Sequence, residues 1–137
     1  MTADLASFPP PAAARRSPAA EARHLHPAAL PRWRALLGTR WQEQLELVTE
    51  LSRAWYDARE AAADPRSGPH ARQTARRRAS AALRRAVAER LALAEIEAAL
   101  ARLAAGRFGW CQQCGTPITA ARLAQLPQAR CCPACER

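Results

Sequence analysis

The last quarter of this 137-residue chain holds five cysteines, and four of them form two pairs of identical spacing, Cys111–Cys114 and Cys132–Cys135. A two-residue gap puts both sulfurs of a pair on one tight turn, aimed at a common point. Two such turns facing each other make a tetrahedral cage of four thiolates, which suits Zn²⁺. Seventeen residues, 115 to 131, separate the pairs, inside the roughly 15–20-residue window of four-cysteine zinc sites. Two disulfides, or idle thiols, are the alternatives. The matched gaps and the lack of any sign of secretion favour metal. Four sulfur ligands leave no open coordination position, so the expected cofactor is one structural Zn²⁺. Cys131 with Cys135 would make a three-residue gap, a poorer match, so Cys132 is taken as the ligand. Cys131 is then a spare thiol, either packed or, if exposed, open to oxidation.

Composition limits what can hold such a cage. Hydrophobic residues make up 49% of the chain, but alanine supplies much of that and aromatics are only 5%. A large globular core is therefore not expected; helices packed through small residues are. The net charge is +9, and all 21 basic residues are arginine. That balance points to an acidic partner, either nucleic acid or an acidic protein surface. No stretch approaches the roughly 18 apolar residues of a membrane span, so no membrane association is expected. The N-terminus lacks the apolar core of a secretory signal. It loosely resembles an organelle transit peptide, but the same composition runs through the whole chain. A reducing cytoplasmic setting fits thiols held on zinc.

Residues 1 to about 31 carry Pro9, Pro10, Pro11, Pro18, Pro27 and Pro31 among alanines. Proline at this density favours extended, solvated chain, and a disordered tail is expected. Arg15, Arg16 and Arg23 could touch an acidic partner, though a solubilising role is the simpler reading. His24 and His26 are read as tail residues.

Two helical patterns follow. Leu37, Trp41, Gln44, Val48, Leu51, Trp55, Ala58 and Ala62 recur in alternating steps of four and three, the seam of a coiled coil. Ala75, Ala79, Ala82, Ala86, Glu89, Leu93, Ile96, Leu100 and Leu103 repeat the pattern, and Gly106 is placed to end it in a left-handed cap. Between them, Asp64-Pro65-Arg66-Ser67-Gly68-Pro69 is a turn. The expected fold is all-α dominated: an antiparallel coiled-coil hairpin over 32–106, with helices at about 32–62 and 71–105 and a tip at 63–70. A small four-cysteine zinc finger fills 107–137. Centring the turn near residue 66 sets Gln44 opposite Glu89 and puts Leu51 and Trp55 near Ala82 and Ala79.

Charge is uneven along this rod. Residues 33–62 carry four Arg against five acids, net −1, whereas residues 64–90 carry eight Arg against two acids, net +6. Arg72, Arg76, Arg77, Arg78, Arg84 and Arg85 form a candidate basic patch for phosphate or an acidic protein. A plain solvated face is the competing reading. No aromatic residue is interleaved with them, so base stacking is not indicated. Asp57, Glu60 and Asp64 gather toward the tip; a metal there is conceivable, but surface acids balancing Arg53 and Arg59 explain them more simply. No Ser/His/Asp or Cys/His arrangement is present in the pattern, so an enzyme is not expected.

With helices and cysteines placed, the segment Leu100-Ala-Arg-Leu103-Ala-Ala-Gly106-Arg-Phe108-Gly109-Trp110-Cys111, followed by Cys114-Gly115, Ile118, Arg122-Leu123, Pro127 and Cys132-Pro-Ala-Cys135, resembles the DksA/TraR family of C4 zinc-finger proteins. The likeness is dense from about 93 to 135. Over 33–92 it rests on the hairpin architecture, and it does not extend to the first 31 residues. It implies a bacterial cytoplasmic regulator of transcription that binds RNA polymerase, with the hairpin inserted into the secondary channel, probed by tip residues Asp64, Arg66, Ser67 and His70, and acting as a monomer. Three departures matter. The family's acidic tip pair is not reproduced, since Asp64 is followed three residues later by Ser67, and the other alignment gives Gly68 and Ala71. The positions that present basic groups to the alarmone ppGpp in responsive members are Glu95, Leu126 and Glu136 here, so no response is expected. The chain also stops two residues after Cys135, without the C-terminal helix of longer members. The competing function is a nucleic-acid-binding protein that uses the arginine-rich half of the hairpin; a zinc-stabilised adaptor with neither activity is a third.

Overall fold

A computed structural model describes residue 25 and residues 27–136. The expected tail, with Arg15, Arg16, Arg23, His24 and His26, lies outside the described residues except at its end. There the chain makes a 3₁₀ turn, Pro27–Ala29, and enters helix α1, Leu30–Ala63. The helix thus begins before residue 32, because Pro31 falls in its first turn, where the missing N–H has no partner to lose. Helix α2 spans Pro69–Ala104, and a short helix α3, Ala120–Gln125, lies between the cysteine pairs.

Prolines cut the hairpin turn. Asp64 precedes Pro65, which forces it out of helical space to φ −66° and ψ 115°. Gly68 precedes Pro69 and is likewise extended, at φ −65° and ψ 161°. Between them Asp64 closes the turn twice. Its carbonyl accepts from the Ser67 N–H at 3.2 Å, and its carboxylate accepts from the Arg66 N–H at 2.9 Å. Pro69 then opens α2, so His70 sits in the first helical turn and not in the loop. At the far end the Gly106 N–H donates to the Leu103 carbonyl at 3.2 Å and the Arg107 N–H to that of Arg102 at 2.8 Å, with Gly106 at φ +68°. This is a Schellman ending, and it turns the chain into the finger.

The two long helices pack along the seam that their spacing predicts. Every seam position of both helices is buried or half-buried. Gln44 meets Glu89 as expected: its side-chain amide donates to the Glu89 carboxylate at 2.6 Å and to the Glu89 carbonyl at 3.1 Å. A polar pair in an apolar seam fixes register, because any slip leaves both groups half-buried without partners.

Burial is concentrated at the base. Trp33, Leu37, Ile96 and Ala99 from the hairpin join Phe108, Cys111, Ile118, Leu123 and Ala129 from the finger in one cluster. The Trp33 and Phe108 rings lie 5.8 Å apart between centroids. Beyond Gln44, only Val48 and Ala75 are fully buried among the hairpin residues toward the tip. At roughly 1.5 Å per residue, the rod reaches about 50 Å on little side-chain burial. Trp55, stacked edge-on to Tyr56 and lying under Arg59, is the largest residue in that distal half.

Replacing Glu89 with Ala should destabilise the hairpin by about 1–2 kcal/mol, because the half-buried Gln44 amide loses its charged partner. The double change Gln44→Leu with Glu89→Leu should recover that stability. Urea unfolding of the three proteins checks this, and a Glu89→Ala protein as stable as the parent would contradict it.

Candidate metal centre

The metal site is built from two backbone turns. In the first, the Gly115 N–H donates to the Cys111 carbonyl at 2.9 Å and the Cys111 N–H to the Thr116 carbonyl at 2.8 Å. Gly115 takes φ +70°, a value that favours glycine and lets the strand double back after Cys114. Trp110 and Pro117 form a single antiparallel bridge beneath the turn. In the second, the Cys135 N–H donates to the Cys132 carbonyl at 2.9 Å. The Gln112 N–H bonds the Arg130 carbonyl at 2.9 Å, tying one turn to the other.

Helix α3 sets the distance between the turns. Thr119 caps it, its hydroxyl accepting from the Arg122 N–H at 3.3 Å. The helix drives Leu123, with Ile118 before it, wholly into the base cluster, and Pro127 after it is fully buried. Arg102 of α2 supplies the second brace. It is buried, and its guanidinium donates to the carbonyls of Gln128 at 3.0 Å and Ala129 at 3.4 Å, just upstream of the second cysteine pair. Burial lowers its pKa, and Glu95 opposes that shift.

The result is a four-thiol cage. The sulfurs of Cys111, Cys114, Cys132 and Cys135 all lie within 4.8 Å of one another, the only group of metal-ligating side chains of this kind among the described residues. Cys114 and Cys132 are 3.7 Å apart at Sγ. A tetrahedron with Zn–S bonds of about 2.3 Å has sulfur–sulfur edges of about 3.8 Å, whereas a disulfide closes to about 2.05 Å. The donor set and its spacing therefore fit zinc and not a disulfide. The Thr116 hydroxyl lies 2.9 Å from the Cys114 sulfur, an outer contact that steadies a thiolate. Cys131 is half-buried and outside the cage. Asp57, Glu60 and Asp64 line a hollow of about 610 Å³ near the tip with Arg66, but they are not drawn together as ligands.

The thiols show why a cation belongs there. Burial pushes Cys111 up, but the N–H groups of Cys114, Cys132 and Gln113 outweigh it and bring its pKa down to about 6. Cys135 hydrogen-bonds through its thiol to Cys132 and Cys114 and is pushed up to about 12. Cys132 is lowered, burial opposing it and the Cys135 and Cys114 donors prevailing. Without a metal the cage holds protons as its glue. Zn²⁺ replaces them with one divalent ion that satisfies all four sulfurs.

The sequence-predicted tip and patch residues are spread along the rod. Asp64 and Ser67 are half-buried in the turn; Arg66 and His70 are exposed. Arg76, Arg77, Arg78, Arg84 and Arg85 are exposed and Arg72 half-buried, and none makes an ion pair among the described residues. Glu95, Leu126 and Glu136, far apart in sequence, line one hollow of about 480 Å³ beside the finger. There Glu95 bonds Arg130 at 3.0 Å, and Glu136 pairs with Arg122. Sequence reasoning assigned no role to Arg102 or Thr116. An arginine in a helix, between Ala101 and Leu103, gives no signal of burial, and a threonine two residues past a cysteine gives little.

Together these features define a C4 zinc finger seated on a helical hairpin. Residues 106–137 match the prokaryotic dksA/traR C4-type zinc finger. The solved structure of transcription factor DksA2 from Pseudomonas aeruginosa superposes with a TM-score of 0.71 at 28% identity, over 82% of this chain and 84% of that one. No curated protein matches the chain. Residues 106–137 thus carry a dksA/traR-type C4 finger, the chain as a whole is similar in fold to DksA2, and the finger binds one structural zinc.

Zinc uptake should release at least one proton at neutral pH, because Cys135 holds its proton until metal displaces it. Apparent affinity should therefore rise roughly tenfold or more per unit between about pH 6 and 8. Competition with a chromophoric chelator across that range measures it, and a flat profile would contradict the proton-held cage.

Proposed function

We propose that the protein is a bacterial cytoplasmic transcription regulator that binds RNA polymerase directly, inserting its hairpin into the secondary channel, and that it does so without responding to ppGpp. The observation that carries this reading is the combination in one chain of the dksA/traR finger with a fold that superposes on a transcription factor over about four-fifths of the chain. The geometry supports reach: a rod of about 50 Å, narrow at the tip and anchored on a rigid base, can enter a channel that a globular domain cannot. The protein catalyses nothing itself. It acts as a monomer by favouring one state of the polymerase complex over another.

Two features give this regulator its own character. The tip offers Asp64 alone where the family has an acidic pair, and Asp64 is already engaged with the Arg66 and Ser67 N–H groups. Arg66 and His70 are the exposed side chains beside it. The turn therefore presents Arg66 and His70 as its exposed side chains where the family has an acidic pair, with Asp57 and Glu60 set further back on α1, and its effect at the polymerase active centre differs from that of an acidic pair. At the base, the hollow lined by Glu95, Leu126 and Glu136 carries two carboxylates and an apolar side chain; its one lining arginine, Arg130, is paired with Glu95, and Glu136 is paired with Arg122. A polyphosphate would have to break both ion pairs and face the freed acids.

One observation favours a second reading. Arg76, Arg77, Arg78, Arg84 and Arg85 are all exposed and unpaired among the described residues, as a phosphate-binding helix requires. Such binding would depend on those arginines, be indifferent to the turn, and fall steeply with salt.

Zinc-loaded protein should be retained on nuclease-treated bacterial RNA polymerase core enzyme at moderate salt, and lose that retention when residues 64–70 are replaced. Radiolabelled ppGpp should bind the free protein no more tightly than GDP does. Failure to bind core, with salt-sensitive binding of DNA or RNA instead, would overturn the polymerase reading in favour of the second.

A further inference from the structure

The outer face of α2 carries a feature that neither the seam nor the basic patch explains. Leu83, Val87 and Leu91 recur every four residues and are 46%, 54% and 66% exposed. Residues at this spacing lie one above another on a helix, so the three form a continuous apolar ridge. Arg84 and Arg90 stand three residues to either side of Val87, next to the ridge, and both are exposed. No acid occurs between Asp64 and Glu89. Glu89 is held by Gln44, and Glu95, one turn past Leu91, is held by Arg130. On α2 the ridge is therefore flanked by arginines, and the two acids of that helix nearest to it are both engaged.

We propose that this ridge is a docking face for an acidic amphipathic helix on a protein partner, whose leucine-like side chains cover Leu83, Val87 and Leu91 while its carboxylates pair with Arg84 and Arg90. Charge decides the occupant. A second copy of this chain would bring a segment of net +6 against its like. Residues 1–24 carry three arginines against two acids, a net positive charge. Nucleic acid would satisfy the arginines but leave three aliphatic side chains facing phosphate. The area decides the strength. Three partly exposed side chains fall well short of the roughly 800 Å² per partner of a stable interface, so the contact is a small one whose encounter is steered by charge. It is a side-on contact on the shaft and stands independently of what the tip does.

The test uses the full zinc-loaded chain and a fluorescein-labelled peptide of about five helical turns, with leucines at i, i+4 and i+8 and glutamates on both flanks. Fluorescence anisotropy should show binding that weakens at least tenfold when the peptide sequence is scrambled at fixed composition, or when its glutamates become lysines. Leu83→Ser with Val87→Ser and Leu91→Ser should weaken binding at least tenfold, as should Arg84→Glu with Arg90→Glu; far-UV circular dichroism checks that both variants remain folded. The single exposed change Leu91→Gln should give a smaller loss in the same direction. Equal binding of the scrambled peptide would overturn the proposal, as would peptide binding unchanged in the triple variant. Duplex RNA binding as tight as the peptide and equally weakened by the triple variant would overturn it in favour of nucleic acid. A dimer in sedimentation that the triple variant abolishes would give the ridge to a second copy.

Discussion

Four thiols gathered into one sphere are the constraint on which the rest of this structure depends. They are not a core in themselves. They close a loop of chain that has almost no regular structure, with one helix of six residues between the pairs. Once closed, that loop can present Phe108, Ile118, Leu123 and Ala129 as a surface, and Trp33, Leu37, Ile96 and Ala99 have something to bury against. Structural zinc contributes on the order of 10–16 kcal/mol of apparent binding free energy in small fingers, more than a few buried aliphatic side chains could supply. The hairpin is thus anchored at one end by a metal-dependent base and left thinly packed at the other.

That asymmetry fits the use proposed for the rod. A distal half held by alanines opposite larger residues is slender, and its polar pair, Gln44 with Glu89, specifies register where apolar packing is weak. Arg102 is the mechanical link between the two parts. It grows from the last turns of α2 and holds the carbonyls that lead into the second cysteine pair, so the orientation of the finger is fixed to the helix that carries the basic patch and the apolar ridge.

Much of this was legible in the sequence, for identifiable reasons. Cysteine spacing is a local signal, and a metal makes it strict; the seam is a repeated signal that survives individual exceptions such as Gln44 and Glu89. Their pairing could be computed from the turn centre because both helices are regular and the turn is short. The prolines at 65 and 69 declare the turn, but Pro69 begins the helix and does not belong to the loop, since proline suits both settings. The base cluster was not legible. Trp33, Phe108 and Leu123 are far apart in the chain, and nothing local says that they meet. Arg102 was hidden for the same reason, because its partners are backbone carbonyls, which leave no mark in a sequence. The ridge of Leu83, Val87 and Leu91 lies outside the seam, and it is their exposure in the folded hairpin, not their spacing, that marks them as uncovered.

The most direct test of this dependence is amide hydrogen exchange on the zinc-loaded protein and on protein stripped with a strong chelator under reducing conditions. The account predicts that stripping abolishes protection across residues 106–135 and sharply lowers it around Leu37, Ile96 and Ala99, while amides near Gln44 and Glu89 keep part of theirs. Unchanged protection at the base after complete metal removal would contradict it, and would mean that the finger and hairpin hold each other without the zinc.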